Sequence, residues 1–257
     1  MRLLVAILLL VMAVEARAES VHFPSLAVGR SPAGPEITGE IYRPDRAGPS
    51  PAIVLAHPCS GVSRHTASWG RLIASWGYVV LAPDSFGPRG VTQVCTKGTV
   101  VSGSMRVADV AGALDFLDSQ PFVQRGSYGL IGHSHGGWTA MRAVQKDYGL
   151  AARGLKAAVA YYPVCWSAFD HDVSVPLLIL IGDKDDWTPA DNCRKLQRAG
   201  FTRPELVEAI YYPNAYHSFD NRAQPRNYLG HHLAYDATAA PDAEARTRAF
   251  FDRLLRP

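Results

Sequence analysis

A glycine-rich pentapeptide, Gly132-His133-Ser134-His135-Gly136, is the feature that most restricts how this chain can fold. It follows an apolar run at residues 128–131 and precedes a helical pattern that starts at Gly137-Trp138. A sharp strand-to-helix turn needs small residues two positions before and after its serine, and these glycines meet that need. The pattern predicts a nucleophile elbow that holds the Ser134 hydroxyl above a sheet. The alternative is a glycine-rich turn that carries an ordinary serine.

Apolar runs alternate with helical patterns along the rest of the chain. Strands are expected at 52–56, 78–82, 128–131, 157–162, 176–181 and 207–212, and helices at 66–76, at 104–118, from 190 onward and at 240–255. This alternation predicts one α/β domain with a mostly parallel sheet flanked by helices. Residues 36–42 alternate between apolar and polar side chains, which is typical of an edge strand. The connection between the fourth and fifth of these strands is short, so no large lid is expected.

The N-terminus has the pattern of a secretory signal peptide. Met1-Arg2 precedes an apolar run at residues 3–14 that is too short to span a bilayer, and Ala16-Arg17-Ala18 supplies a cleavage motif. Cleavage after Ala18 would remove residues 1–18 and leave a domain at 19–257, periplasmic or secreted, without stable membrane insertion. A retained membrane anchor is the alternative. The net charge of +3, without a Lys/Arg run, gives no indication of nucleic-acid binding.

The chain has four cysteines. An exported protein meets oxidising conditions, so disulfides are expected, and free buried thiols are the alternative. Four cysteines allow three pairings, and the spacing leaves all three open. No Cys/His spacing resembles a zinc site, and neither a metal nor a cofactor is expected.

A serine nucleophile needs a base, and the base needs an orienting carboxylate. After an elbow these groups follow later strands, in the order acid and then histidine. His217 follows the last strand and is the predicted base. His231 and His232 lie further along in a polar segment and are expected to be exposed. His133 and His135 share the tight turn of the serine, where a base would have poor geometry.

The acid is expected in Gly182-Asp183-Lys184-Asp185-Asp186-Trp187-Thr188-Pro189, after the next-to-last strand. Asp185 is the predicted acid because it lies at the turn before the helix. Asp183 and Asp186 are the competing candidates, and any of the three could instead serve only as a turn or capping residue.

An oxyanion hole needs two backbone N–H donors. His135 supplies one as the residue after the nucleophile. The second is expected from His57-Pro58-Cys59-Ser60-Gly61, which follows the 52–56 strand. Pro58 has no N–H, so Cys59 is the predicted donor, and an ordinary turn is the alternative.

Four further side chains are candidates for the substrate pocket. Arg89 lies in a long loop at residues 83–103 and is expected either to meet a substrate carboxylate or to brace the loop through an ion pair with an acidic neighbour. Trp138, Trp187 and Tyr216 lie near the predicted site and could line an acyl or alcohol pocket. Core packing is the alternative for each aromatic residue.

These segments together resemble the dienelactone hydrolase family of the α/β-hydrolase superfamily, from about residue 36 to the C-terminus. The resemblance rests on the 57–61 loop, Asp84-Ser85-Phe86-Gly87-Pro88-Arg89-Gly90, residues 132–137 and 182–189, and Tyr216-His217-Ser218-Phe219. It implies a single α/β-hydrolase domain without a cofactor. It also implies a Ser134, Asp185 and His217 triad, with Cys59 and His135 as the oxyanion donors.

The chain departs from the family pattern at two positions. The founding enzymes have a cysteine nucleophile where this chain has Ser134, and a glutamate in the oxyanion loop where it has Pro58. Both changes favour a general serine esterase over dienelactone hydrolysis. The implied fold, together with similar family members, predicts the disulfides Cys59–Cys95 and Cys165–Cys193, each worth about 3 kcal/mol.

The expected function is therefore the hydrolysis of small-molecule carboxylic esters through an acyl-enzyme. A peptidase, thioesterase or lactonase using the same residues is one alternative. A non-catalytic ligand-binding protein on the same scaffold is another, because fold alone does not fix function. The sequence gives no indication of the oligomeric state.

Overall fold

The computed structural model describes residues 18–256, so the predicted signal segment, apart from Ala18, lies outside the described residues. Within this range eight strands form one sheet in the order β1-β2-β4-β3-β5-β6-β7-β8. The strands are β1 (Ala18–Pro24), β2 (Glu36–Tyr42), β3 (Ser50–Ala56), β4 (Val79–Asp84), β5 (Val123–His133), β6 (Leu155–Tyr161), β7 (Leu177–Gly182) and β8 (Val207–Tyr212). The pairings from β4 through β8 are all parallel, and β1 and β2 are antiparallel to their neighbours.

Helices cover the sheet, as the alternating pattern predicts. They are α1 (Arg64–Ser75), α2 (Gly103–Asp118), α3 (His135–Ala143), α4 (Ala190–Ala199) and α5 (Ala239–Leu255). Helix α1 packs on β4, α5 packs on β5 and β6, and α2 and α3 pack on each other and on β5. The parallel-rich α/β architecture is therefore confirmed. Among the described residues no helix combines the length and apolar character needed to cross a membrane.

The interpretation of residues 36–42 as an edge strand is wrong. The residues do form β2, but β2 lies between β4 and β1, and β1 is the strand at the edge. The alternation in β2 arises because one of its faces is more exposed than the other, which also occurs one position inside an antiparallel edge. Strand β1 was missed because six of its seven residues keep appreciable exposure and give little apolar signal.

A small hairpin was also missed. Strands β9 (Arg226–Tyr228) and β10 (His231–Leu233) pair antiparallel beside the carboxyl end of the main sheet. Each strand has only three residues, which is too short for a period-two pattern to be recognised. The hairpin is nonetheless important for the site, since Tyr228 and Leu233 line the pocket described below.

Both expected disulfides are present in the structure. Cys59 is joined to Cys95 and Cys165 to Cys193, closing sequence separations of 36 and 28 residues. The first bond connects the loops after β3 and β4, and the second connects the loop after β6 to α4. These two bonds account for all four cysteines of the chain.

A glycine in the middle of α2 allows the helix to pack closely against β1. A Cβ built on Gly112 would lie 1.8 Å from the carbonyl oxygen of Pro24, which is rigid backbone. A side chain at position 112 would therefore force β1 or α2 to move. The contact matters for the site because α2 also carries the buried Arg106.

We expect Gly112→Ala to destabilise the protein by about 2 kcal/mol or more, although alanine is the better helix former. Urea unfolding would measure the loss. Gly48→Ala is the matched control, because Gly48 has a φ of +79° but no atom within 4 Å of the added Cβ. The control should lose only about 1 kcal/mol from backbone strain. Equal losses in the two variants would contradict the close packing of α2 on β1.

Candidate active site

The turn between β5 and α3 holds Ser134 in a conformation that few residues adopt. Its φ is 55° and its ψ is −111°, outside the regions favoured by L-residues. A Cβ on Gly132 would lie 2.0 Å from the Gly136 carbonyl oxygen, and one on Gly136 would lie 2.1 Å from the Ala56 carbonyl oxygen. The chain can therefore close this turn only with glycine at both positions. This is the backbone geometry of a nucleophile elbow.

The structure brings together the three side chains predicted as a triad. The Ser134 Oγ lies 2.9 Å from the Nε2 atom of His217. The Nδ1 atom of the same imidazole lies 2.8 Å from Asp185 Oδ2. All three residues are buried, with 7% exposure for Ser134 and less for the other two. A hydroxyl, an imidazole and a carboxylate in this order can take a proton from the serine and stabilise the resulting imidazolium.

Backbone donors hold the Asp185 carboxylate in place. Its Oδ1 accepts hydrogen bonds from the N–H groups of Trp187 and Thr188, at 2.9 and 2.8 Å. The Thr188 hydroxyl lies 2.9 Å from Asp185 Oδ2 and 3.0 Å from the Tyr162 carbonyl oxygen. Thr188 is a site residue that sequence reasoning missed, and only its position three residues after the acid could have indicated it.

The two competing aspartates point elsewhere. Asp183 forms an ion pair with Arg194 of α4 on the surface. Asp186 lies 3.4 Å from His231 and 3.3 Å from the backbone N of His232, on the β9–β10 hairpin. The three neighbouring aspartates thus have three separate sets of partners, and only Asp185 reaches His217.

The two residues predicted as oxyanion donors both adjoin the serine, His135 along the chain and Cys59 in the same pocket. His135 is the first residue of α3, where a backbone N–H has no acceptor within the helix. Cys59 lines the same pocket as Ser134, and its carbonyl oxygen accepts a 2.8 Å hydrogen bond from the Val94 N–H. The loop after β3 is therefore anchored to the loop after β4 by this hydrogen bond as well as by the Cys59–Cys95 disulfide.

A buried histidine, His57, holds the loop after β3 in place through hydrogen bonds. His57 is fully buried, with Nε2 3.2 Å from the Ser85 N–H and Nδ1 2.8 Å from the Pro58 carbonyl oxygen. Because the Ser85 N–H must donate, Nε2 is the acceptor and Nδ1 carries the proton. Burial, with a smaller contribution from Arg106, lowers the pKa of His57 well below its ordinary value. A neutral His57 thus connects the loops after β3 and β4, a role that sequence reasoning missed.

A pocket of about 700 Å³ opens above Ser134 and His217. Trp187 lies in its wall, with its ring centroid 5.2 Å from His217 and 4.7 Å from His231, on which it stacks. Tyr162 and Tyr228 add further aromatic surface. His231 and His232 were expected to be exposed, but both are only partly exposed because the hairpin places them against Trp187 and Tyr216.

Arg89 does not reach this pocket. Its guanidinium pairs with Asp109 of α2 through contacts of 3.0 and 2.8 Å and donates to the Ser85 carbonyl oxygen at 2.7 Å. Of the two roles expected for Arg89, the structure therefore places it in the ion pair that braces the loop. The substrate-carboxylate role is wrong, because the buried carboxylate of Asp109 already occupies the guanidinium.

Two of the three aromatic candidates also lie outside the pocket. Trp138 is buried against the rings of His135 and Trp166, at 5.2 and 5.0 Å. Tyr216 packs against His232 at 4.5 Å. Only Trp187 of the three lines the pocket. Trp138 in α3 and Tyr216 in the loop after β8 both lie in segments next to the site, but packing against neighbouring rings turns their side chains away from the pocket.

A second polar cluster adjoins the pocket and was missed entirely. Asp220 follows β8 and is fully buried, and it accepts hydrogen bonds from Trp69 Nε1, His65 Nε2 and the Tyr162 hydroxyl at 2.7–2.8 Å. Burial alone would raise the pKa of Asp220, but His65, His133 and Tyr162 together hold it below its ordinary value. Burial lowers the pKa of His133 to about 3.

His135 also has a buried and charged environment. Its Nε2 lies 2.9 Å from the Gly98 carbonyl oxygen, and its Nδ1 accepts from the guanidinium of Arg106 at 2.9 Å. Burial, assisted by the charge of Arg106, lowers the pKa of His135 to about 3. Burial also lowers the pKa of Arg106, to about 9. Folding therefore keeps His135 neutral at pH values where the unfolded chain protonates it.

We expect stability to fall as the pH drops from about 6.5 towards 3, because the unfolded state then binds the proton that His135 excludes. The contribution of His135 between pH 7 and pH 5 is about 2 kcal/mol. Urea unfolding of wild type and His135→Asn at both pH values measures it, since asparagine keeps an acceptor near Arg106 but does not titrate. The variant should lose about 2 kcal/mol less than wild type over this interval. Equal losses would show that His135 is not the group responsible.

Comparison with known proteins places the chain in a family. The model of the dienelactone hydrolase family matches residues 37–255. A protein of Synechocystis, provisionally named a carboxymethylenebutenolidase, is 23% identical over 243 residues that cover 86% of this chain and 93% of the relative. A Yersinia pestis protein with the same provisional name is 25% identical over a region that covers 85% of this chain and 84% of the relative.

A solved structure has the same fold. The dienelactone hydrolase-like promiscuous phosphotriesterase from metagenomic libraries superposes with a TM-score of 0.76 at 22% identity, covering 93% of this chain and 99% of the other. The family match spans the whole sheet from β2 and includes the elbow, the loop after β7 and the loop after β8. The chain therefore belongs to the dienelactone hydrolase family and has the α/β-hydrolase fold, with a hydrolase function.

Proposed function

We propose that this protein is a serine hydrolase that cleaves carboxylic esters through Ser134, His217 and Asp185. The observation that carries the proposal is the continuous hydrogen-bond chain from Ser134 Oγ through His217 to Asp185, in which the two links measure 2.9 and 2.8 Å. Its nucleophile end faces a pocket of about 700 Å³, a volume typical of small-molecule sites. The substrate is therefore a small ester.

The reaction follows from this geometry. Ser134 Oγ attacks the ester carbonyl carbon while His217 Nε2 takes its proton, and Asp185 orients the imidazolium. The N–H groups of Cys59 and His135 stabilise the oxyanion. His217 then returns the proton to the leaving alcohol, which departs as the acyl-enzyme forms. Water, activated by the same histidine, releases the acid and regenerates the serine.

The residue types at the nucleophile and in the oxyanion loop support ester hydrolysis over dienelactone hydrolysis. Ser134 stands where the founding enzymes have cysteine, and Pro58 stands where they have glutamate. Hydrolysis of lactones is the second candidate, because relatives of this chain are provisionally named carboxymethylenebutenolidases. The two activities are separated by comparing kcat/KM for a small aryl ester and for a dienelactone.

The proposal includes export to the periplasm or beyond the cell. Two disulfides that use all four cysteines are typical of an oxidising compartment. The signal-peptide pattern at residues 1–18 supports the same location. A mature N-terminus at Glu19 on secreted protein is the expected outcome of N-terminal sequencing.

We expect an organophosphonate to form one covalent adduct on wild type and none on Ser134→Ala, read by intact-mass spectrometry. The substitution should also lower kcat by roughly 10⁴-fold or more. Ser60→Ala is the matched control, because Ser60 lines the same pocket without a link to His217, and it should still be labelled. Folded wild type that fails to react would support a ligand-binding protein without catalysis.

The Cys59–Cys95 disulfide should affect catalysis, and Cys165–Cys193 should not. Replacing either pair by serine is expected to cost about 3–4 kcal/mol of stability, because the closed loops are of similar length. Only the Cys59→Ser/Cys95→Ser variant loosens a proposed oxyanion donor, so only its kcat should fall, by roughly 10–100-fold. The proposed role of the Cys59 N–H would be refuted by equal kcat values in the two double variants below their unfolding temperatures.

A further inference from the structure

Three side chains from distant parts of the sequence converge beside the active-site pocket. His65 comes from the first turn of α1, His133 from the last position of β5 and Asp220 from the loop after β8. The Asp220 Oδ2 atom lies 2.8 Å from His65 Nε2 and 3.4 Å from His133 Nε2. The three atoms all lie within 4.8 Å of one another. We refer to these residues as the His65–His133–Asp220 cluster.

One member of the cluster has an unused polar atom. His133 is 1% exposed, and its Nε2 atom is buried without a hydrogen-bond partner. Buried polar atoms are nearly always paired, so such an atom calls for a physical explanation. The atom lies 3.4 Å from Asp220 Oδ2 without forming a hydrogen bond to it, and that oxygen already accepts hydrogen bonds from Trp69 and His65. A bound ligand would provide the missing partner.

We propose that His65, His133 and Asp220 form a binding site for a divalent metal ion of the Zn²⁺ type. Two imidazole nitrogens and one carboxylate oxygen are a common donor set for zinc. Bonds of about 2.0–2.1 Å in tetrahedral geometry separate neighbouring ligand atoms by roughly 3.3 Å. The observed separations of 2.8 and 3.4 Å to Asp220 bracket this value. The third separation, between the two histidines, lies within 4.8 Å, so the two imidazoles must move towards each other when the ion binds.

The surroundings already hold the carboxylate in the orientation that this site needs. The Tyr162 hydroxyl donates to Asp220 Oδ1 at 2.7 Å, and Trp69 Nε1 donates to Oδ2 at 2.8 Å. Hydrogen bonds of this kind orient metal ligands and raise affinity. The ion replaces the proton that His65 Nε2 donates to Oδ2, and that proton moves to Nδ1 or to solvent. Both imidazoles then bind the metal through Nε2 in their neutral form.

The site is accessible from the active-site pocket but separate from the proposed triad. His65 lines the pocket with 12% of its side chain exposed, which gives an ion a route to the two buried ligands. Three protein ligands leave a fourth position of a tetrahedral ion for water or for a group of the substrate. None of the three belongs to the Ser134, His217 and Asp185 chain, so the proposed metal ligands are different side chains from the proposed catalytic ones.

The test uses Zn²⁺ itself and the full mature protein, first treated with EDTA and then dialysed. Native mass spectrometry and calorimetric titration should show one Zn²⁺ per chain for wild type and equally for Ser134→Ala. His65→Gln should weaken binding by at least ~10-fold, since even partners of metal ligands contribute that much. At a free Zn²⁺ concentration of 100 times Kd, wild type should unfold roughly 5–10 °C higher than without metal.

His231→Gln is the matched control, because His231 also adjoins the pocket and lies 3.4 Å from a carboxylate, that of Asp186. It should bind Zn²⁺ as wild type does. Glutamine at position 65 keeps a donor for Asp220, and Asp220→Asn provides a second variant if the first unfolds. No binding by folded wild type would overturn the proposal, as would equal binding by His65→Gln. Loss of binding in His231→Gln alone would place the metal at a different site and overturn it too.

Discussion

The close approach of three backbone segments around Ser134 is the constraint on which the rest of the site depends. Within the elbow, the carbonyl group of Gly136 packs against Gly132. Gly136 itself packs against the carbonyl group of Ala56 at the end of β3. The Ser134 N–H donates to the Tyr161 carbonyl oxygen at the end of β6, at 2.9 Å. Contacts with the ends of β3 and β6, the two strands that neighbour β5, thus hold the strained serine in place. Strain of this kind persists only where the surrounding structure fixes the backbone from several sides.

The same arrangement of strands positions the other residues of the proposed site. Strands β3, β5 and β6 are adjacent and parallel, so their carboxyl ends and the loops that follow meet at one edge of the sheet. The loop after β3 brings Cys59 to the serine, and the loops after β7 and β8 bring Asp185 and His217. The residues of the proposed catalytic site are spread over four loops, but their relative positions are fixed by the register of the strands.

The sequence was sufficient to predict the groups whose positions follow from strand order. Ser134, Asp185 and His217 lie one, three and five residues after β5, β7 and β8, and a parallel sheet leaves few arrangements for such residues. The disulfide pairing was predictable only with the family resemblance, because the spacing of the four cysteines leaves all three pairings open. Strand β1 and the β9–β10 hairpin were not predictable, because their residues are polar or their runs too short to produce a periodic signal.

Side-chain direction was the part that the sequence could not supply. Arg89 and Trp138 both lie in segments next to the site. Arg89 forms an ion pair with Asp109 outside the pocket. Trp138 is buried against the rings of His135 and Trp166. Asp220 shows the opposite case, because its position in the sequence did not predict its place beside the pocket. It carries no motif and lies three residues after His217, but the turn after β8 points it under the pocket towards His65 and His133. Asp220 and His65 are 155 residues apart in the sequence, so no short sequence motif could have predicted their contact.

Two buried polar clusters therefore flank the serine, one through each of its neighbours in the elbow. His133 faces the carboxylate of Asp220, while His135 faces the guanidinium of Arg106. Because Arg106 can only donate, His135 must accept at Nδ1 and donate from Nε2 to the Gly98 carbonyl oxygen. The ring is thus fixed in one tautomer, and the loop after β4 is fixed to the first turn of α3. A protonated His135 would break the bond to Arg106 and place two cations in contact, so the same contact that orders the elbow makes it sensitive to acid.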